Sequence, residues 1–180
     1  MCIRDSLITQ PDSLCWLLNI RGKDVPHTPL TLGFVIVHAD KEPELFIDPK
    51  KLSGKAREEV GKLVSLRDKD ELLTKLSAID GTIALDPATT GMVFKTHIEG
   101  NGGTVLEKPD PCVLPKAIKN QVELAGSRTA HIRDGAAISR FLFWLSNQET
   151  SSLNEISKAI GKLSQARRRE RWCSFAGHFL

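Results

Sequence analysis

The sequence predicts an α/β fold, in which a mixed sheet is flanked by helices and is followed by a separate helical part. Short apolar segments typical of strands alternate with segments of helical periodicity through the first 110 residues. This alternation is typical of a sheet that is covered by helices. After it, residues 121–146 have the length and the capping signals of one long helix.

Five short segments have the composition of strands. The first, residues 32–38 (LGFVIVH), is apolar at consecutive positions, so we predict that it is buried on both faces. The short polar stretch that follows it indicates a connection between neighbouring strands. The predicted strands are residues 32–38, 44–48, 64–66, 82–86 and 104–106.

Four segments before or between these strands have apolar residues at helical spacing. Trp16 anchors the first of them in the core, and Leu72, Leu73 and Leu76 give another an apolar face. The glycine-rich residues 100–103 (GNGG) end the last one, and their spacing is that of a turn rather than of a phosphate-binding loop. The predicted helices are residues 12–20, 50–62, 68–77 and 88–98.

The long helix has two different halves. Asn120 can cap its first turn while Glu123 reaches back to the N–H of the cap, which is the reciprocal pattern of a capping box. At its other end lies an apolar girdle whose side chains point all round the axis, so we expect neighbours on every side. The girdle consists of Ile138, Phe141, Leu142, Phe143, Trp144 and Leu145.

Charge and proline content both change near residue 110. Residues 1–110 carry 14 Lys and Arg against 17 Asp and Glu, whereas residues 111–180 carry 11 against 5. Prolines at positions 109, 111 and 115 interrupt regular structure where the sign changes. We therefore predict a non-native tip at residues 1–6, an α/β domain at residues 7–113 that is truncated at its start, and a helical part at residues 114–180.

The composition excludes several classes of protein. Four scattered cysteines without a C-x-x-C pair indicate reduced thiols rather than a disulfide framework or a zinc knuckle. No apolar run approaches the ~20 residues of a membrane span, and no charged-then-apolar signal sequence is found at the start. We therefore predict a cytoplasmic protein without a membrane partner.

Two residue pairs are candidates for a functional site. Arg21 and Asp24 flank a turn at Gly22, which is free to adopt a positive φ, and they either pair with each other or face an active site. His131 and Asp134 lie three residues apart on one helical face, a spacing at which two metal ligands can converge. Such a pair is only half a metal site, and a surface hydrogen bond or an interdomain contact is the alternative.

Two long motifs resemble the Xaa-Pro aminopeptidases (aminopeptidase P, peptidase family M24). Residues 11–29 are similar to the pattern D-x-x-x-W-L-x-N-x-R-G-x-D-V-x-x-x-P, through Asp12, Trp16, Leu17, Asn19, Arg21, Gly22, Asp24, Val25 and Pro29. The second motif resembles the junction between the second creatinase-like domain of this family and its "pita-bread" catalytic domain. It matches at Lys116, Ala117, Lys119, Asn120, Glu123, Gly126, Arg128, Ala130, His131, Asp134, Ala137, Phe141, Trp144 and Leu145.

The resemblance implies a creatinase N-terminal-like domain followed by the first helices of a catalytic domain. A capping box at Ser152 and Glu155 would begin the second of these helices, in an antiparallel hairpin. In the family, two divalent metal ions, usually manganese, hydrolyse the bond after the N-terminal residue of Xaa-Pro peptides. The family's metal-ligand motifs have no counterpart here, so the resemblance implies a fragment of a metalloprotease (a hydrolase) with no catalytic or metal-binding residue of its own.

The resemblance also implies partners, and it leaves two alternatives open. The expected partners are the missing catalytic domain, the peptide substrate of the parent enzyme and a second copy in a homo-oligomer. One alternative is a free-standing creatinase-like binding module whose girdle is covered by its own second helix or by a partner. The other is a nucleic-acid adaptor with a basic tail at residues 167–171 (RRRER), although a solvated helix end explains this short run better.

Overall fold

The computed structural model describes residues 5–147, 157–158 and 160–161. Its contacts divide the chain into two compact units, Met1–Ile118 and Lys119–Leu180. Three predicted features lie outside the described residues: the first four residues of the tip, the capping box at Ser152 and Glu155, and the basic run at residues 167–171. Asp5 and Ser6, which also belong to the predicted tip, lie within a strand.

The first unit contains a mixed sheet with the strand order β4-β3-β2-β1-β5-β6. Strand β1 pairs antiparallel with β2, and β2 pairs antiparallel with β3, whereas the other neighbours are parallel. The predicted strands are confirmed within two residues at each end, and β1 is the one strand that the prediction did not include. The strands are β1 (Asp5–Ile8), β2 (Phe34–Val37), β3 (Glu44–Phe46), β4 (Ser65–Arg67), β5 (Thr82–Leu85) and β6 (Thr104–Glu107).

Helices cover both faces of the sheet. The helices of this unit are α1 (Pro11–Leu17), α2 (Gly54–Gly61), α3 (Leu72–Ser77), α4 (Met92–Glu99) and α5 (Val113–Ala117). Buried residues of α1 and α2 belong to one apolar core, and buried residues of α3 and α4 belong to a second. Val35 and Ile36 are adjacent in β2 and fully buried, one in each core, which confirms the strand predicted to be buried on both faces.

The helices differ from the predicted ones where a side chain caps a turn. Asp86 accepts a hydrogen bond from the backbone N–H of Ala88 and so forms a turn, and α4 begins only at Met92. Ser53 caps α2 through the N–H of Ala56, so that helix is shorter than predicted. Helix α5, which the sequence did not predict, occupies the proline-rich stretch before the division between Ile118 and Lys119.

The second unit begins with the long helix α6 (Gln121–Ser146), whose bounds and capping box match the prediction. Asn120 accepts a hydrogen bond from the N–H of Glu123 at 2.9 Å, and Glu123 accepts one from the N–H of Asn120 at 2.9 Å. In the girdle, the side chains of Leu142 and Phe143 are exposed, and the ring centroids of Phe141 and Trp144 lie 6.0 Å apart. None of the described helices combines the length and the apolar character needed to cross a lipid bilayer.

Candidate functional site

The loop that follows α1, residues 19–32, contains the second part of the first motif and is held in place by side chains at both ends. We call it the anchored loop. Its tip is a β-turn in which the N–H of Thr28 donates to the carbonyl of Val25 at 3.2 Å. Asn19 and His27 have positive φ angles of 50° and 65°. Asn and His adopt a left-handed conformation more often than most residues, but only glycine adopts it without a steric cost, so the tip at His27 carries local strain.

Asp24 is the centre of the anchored loop. Its Oδ2 atom accepts hydrogen bonds from the Thr31 hydroxyl at 3.0 Å, from the Leu32 N–H at 2.7 Å and from the Lys51 ammonium at 2.8 Å. The Lys51 hydrogen bond is the main cause that lowers the pKa of Asp24, and the bonds from Leu32 and Thr31 add to it against the effect of burial. Asp24 is therefore a carboxylate that ties the middle of the loop to its C-terminal end and to the turn at residues 49–51.

Arg21 anchors the loop to the end of α1. Its Nη1 atom donates hydrogen bonds to the carbonyls of Cys15 at 3.0 Å and Ile20 at 2.8 Å. These carbonyls lie at or just beyond the last turn of α1, where helical partners are missing. The predicted pairing of Arg21 with Asp24 is wrong, because each takes its own partners elsewhere in the described structure.

Gly22 is required by close packing rather than by its backbone conformation. A Cβ atom at this position would lie 2.5 Å from the Cβ of Thr31 and 2.9 Å from the carbonyl oxygen of Leu30. Gly22 does not use the positive φ that glycine allows, since Gly102 is the glycine with a positive φ in the described part of the chain. The two segments of the loop, one at Gly22 and one at residues 30–31, thus approach each other more closely than any side chain at position 22 allows.

Replacing His27 with glycine should stabilise the first unit by about 0.5–1 kcal/mol. Glycine adopts a positive φ at little cost, and this relief exceeds the extra entropy of the unfolded chain. Chemical denaturation followed by circular dichroism measures the change. Thr28→Gly is the matched control, because Thr28 has an ordinary φ and the same change there should destabilise. Equal effects of the two substitutions would contradict a strained tip.

His131 and Asp134, the candidate metal ligands, lie in the middle of α6. The Nδ1 atom of His131 lies 2.8 Å from the carbonyl oxygen of Ser127 on the same helix, so this nitrogen is engaged within α6. Asp134 is half-buried and also has a polar or electrostatic contact. Within residues 5–147, and at the four helical positions described beyond them, no three His, Cys, Asp or Glu residues are grouped so as to hold a metal ion.

A buried charge network lies just beyond the C-terminal end of β2, and the sequence analysis did not identify it. The Glu44 side chain is only 6% exposed, and its Oε1 atom lies 3.0 Å from the Lys75 ammonium and 3.5 Å from His38 Nε2. Lys41 and Arg67 approach the same carboxylate at 3.9 Å. The available signal was one acidic residue in an otherwise apolar strand, ELF, which places Glu44 on the same face as Phe46.

The network keeps Glu44 ionised despite its burial. Burial is the largest single influence and raises the pKa of Glu44, but the hydrogen bond and charge of Lys75, with the charges of His38 and Arg67, outweigh it. The pKa of Glu44 is consequently lowered below its ordinary value of 4.5. A lone carboxylate in the core would be costly, so the cations around Glu44 are what permit its position.

Comparison with protein families identifies the first unit. The family model for the creatinase/prolidase N-terminal domain matches residues 4–123. The "Probable Xaa-Pro aminopeptidase P" of Aspergillus flavus is 32% identical over 173 residues, which are 89% of this chain and 26% of the relative. The chain thus spans about a quarter of the length of such curated relatives.

Two solved structures share the fold. The X-prolyl aminopeptidase of Caenorhabditis elegans, described as a cytosolic enzyme with a di-nuclear active site, superposes with a TM-score of 0.75 at 30% identity. The superposition covers 88% of this chain and 28% of that enzyme. The prolidase of Pyrococcus furiosus has a TM-score of 0.62 at 15% identity over 92% of this chain and 46% of its own, a likeness of fold alone.

Proposed function

The chain belongs to the creatinase/prolidase N-terminal domain family, and we propose that it is a non-catalytic N-terminal module of an Xaa-Pro aminopeptidase. One observation carries the proposal. The similarity to aminopeptidase P extends over 89% of this chain but over only 26% of the relative, and the creatinase/prolidase N-terminal domain model matches residues 4–123 of the chain. Most of the length of such an enzyme therefore corresponds to nothing in this chain.

The donor atoms of the chain support a non-catalytic role. Two divalent ions need roughly five convergent donors, mainly carboxylates, to replace the water that they lose. The pair His131 and Asp134 supplies two, and the described residues bring no third His, Cys, Asp or Glu to them. The residues that the structure describes do not fit a dinuclear centre, so in this proposal the remainder of the parent enzyme supplies the metals and binds the peptide.

In the proposed enzyme, the module supports the catalytic domain and helps to shape access to its active site. The anchored loop is the candidate for this role, because the motif residues Arg21 and Asp24 anchor it and its tip is exposed. We place the enzyme in the cytoplasm by similarity to the C. elegans enzyme, which is described as cytosolic.

We expect the isolated chain to bind no metal stoichiometrically and to release no N-terminal residue from Xaa-Pro peptides. The purified chain is incubated with manganese and dialysed, and bound metal and peptide cleavage are then measured. One tightly bound ion per chain, or turnover that persists after repurification, would overturn the non-catalytic assignment. Either result would make Arg21, Asp24, His131 and Asp134 candidates for site residues again.

A segment replacement tests whether the chain can serve as a module of an Xaa-Pro aminopeptidase. The corresponding segment of the C. elegans enzyme is replaced by residues 5–147 of this chain, and cleavage of an Xaa-Pro peptide is compared with that of the enzyme lacking the segment. The graft should restore cleavage if this chain is a module of such an enzyme. A folded, metal-loaded graft that is as inactive as the truncated enzyme would favour a free-standing binding module instead.

We also expect the isolated chain to self-associate through the girdle of α6. Leu142 and Phe143 are 56% and 73% exposed, and burying a large apolar side chain is worth about 1.5–3 kcal/mol. Replacing both residues with serine should shift the chain towards the monomer in sedimentation velocity. The control is Ile132→Ser, because Ile132 is 73% exposed but lies outside the girdle. An unchanged mass distribution in the double variant would contradict this prediction.

A further inference from the structure

The two sequence motifs that carry the family resemblance meet in the structure. Asp12 begins the first motif on α1, and Lys116 lies in the second motif on α5, more than a hundred positions later. The Lys116 ammonium contacts the Asp12 Oδ2 atom at 2.5 Å and the Ser13 hydroxyl at 3.1 Å. A residue from the last helix of the unit is thus joined to the first helix.

Apolar packing alone does not explain the position of α5. All the apolar residues of α5 and Ile118 after it are exposed, with Leu114 and Ile118 each at 69%. Cys112, directly before the helix, is buried in the core that includes α1, and its N–H donates to the Asp110 carboxylate at 2.7 Å. Within α5 itself, Lys116 is the half-buried position, and its contacts reach α1.

The partners of Lys116 make its contact with α1 specific. Ser13 is fully buried, so its hydroxyl depends on a partner within the protein, and the Lys116 ammonium is that partner. The Asp12 side chain is 52% exposed and that of Lys116 is 23% exposed, so water competes for this ion pair only in part. The Lys116 hydrogen bond is also the largest cause that lowers the pKa of Asp12.

We propose that Lys116 is a polar latch that holds α5 on α1 and so fixes the end of the module from which the chain continues into α6. Without the latch, Cys112 still anchors the segment at its start, but the following residues have little buried surface to hold them. The helix should then open locally while the two cores of the unit stay intact. This inference is independent of the proposed enzymatic function.

Amide hydrogen exchange measured by NMR tests the latch. The reporter is the Ile118 N–H, which donates to the Leu114 carbonyl at 3.2 Å and closes the last turn of α5. Lys116→Met keeps the apolar stem and removes the ammonium, and Asp12→Asn removes the charge of its partner. Both should speed exchange at Ile118 about tenfold while core amides of β2 and β5 keep their protection.

A control variant and a double variant complete the test. Lys62→Met removes a comparable cation whose partner, Glu59, lies within the same short segment, and it should leave exchange at Ile118 unchanged. The double variant Asp12→Asn, Lys116→Met should exchange no faster than Lys116→Met, because both substitutions remove the same contact. Unchanged exchange at Ile118 in Lys116→Met, or an equal acceleration throughout the cores, would overturn the latch.

Discussion

Replacing Glu44 with alanine should lower the free energy of unfolding of the first unit by about 2–3 kcal/mol. The carboxylate is nearly buried and lies near Lys75 and Arg67, so its loss leaves these two cations without a common partner. The expected cost is below the ~3–5 kcal/mol of a fully buried pair, because the Lys75 and Arg67 side chains are 36% and 45% exposed. Chemical denaturation followed by circular dichroism measures the change.

Two further variants separate the effect of the Glu44 charge from the effect of side-chain volume and from the general effect of replacing a glutamate with alanine. Glu44→Gln keeps the size of the side chain and should cost about 1–2 kcal/mol, the share that comes from the charge. Glu59→Ala is the control, since its carboxylate is 59% exposed and pairs with Lys62 on the surface, where water screens the pair and its loss should change stability little. A Glu44→Ala variant as stable as Glu59→Ala would show that the network contributes nothing.

The same network predicts how stability depends on pH. Because folding lowers the pKa of Glu44, its contribution is present above its ordinary pKa of 4.5 and is lost as the pH falls through the folded value. The wild-type chain should therefore lose more stability than Glu44→Gln on acidification from pH 5 to about pH 3. Parallel stability curves for the two proteins would contradict this assignment.

The strands and the long helix could be predicted because their signals are local. The apolar run through Val35 and Ile36 shows a strand buried on both faces, and Asn120 with Glu123 shows where α6 begins. The starts of α2 and α4 were missed by about four residues. There Ser53 and Asp86 form caps and turns that compete with helical periodicity, and the periodicity alone does not reveal which of them prevails.

The side-chain partners of the candidate site could not be predicted in the same way. Sequence proximity favoured a pair between Arg21 and Asp24, but the partners of Asp24 are Thr31, Leu32 and Lys51, up to 27 positions away. Their meeting depends on the close approach of the loop's two segments at Gly22 and on the position of the turn at residues 49–51. Such contacts follow from tertiary packing, which residue spacing does not encode.

The partners of Asp24 determine the second large effect that we expect. Asp24→Ala should lower the free energy of unfolding by about 2 kcal/mol, since it removes three hydrogen bonds and leaves the Leu32 N–H and the Lys51 ammonium without this acceptor. Asp24→Asn keeps an oxygen acceptor but loses the charge, and it should cost about half as much. Chemical denaturation of both variants beside the wild type provides the measurement.

A double-mutant cycle of Asp24 and Lys51 shows whether the cost of Asp24→Ala arises from their ion pair or from a general loss of packing. Lys51→Met alone should cost less than Asp24→Ala, because Thr31 and Leu32 still donate to the carboxylate. The double variant should cost about 0.5–1 kcal/mol less than the sum of the two single costs, since both substitutions remove the same ion pair. Strict additivity would mean that Asp24 and Lys51 stabilise the protein independently. The anchored loop would then be held by its backbone packing at Gly22 and not by the carboxylate.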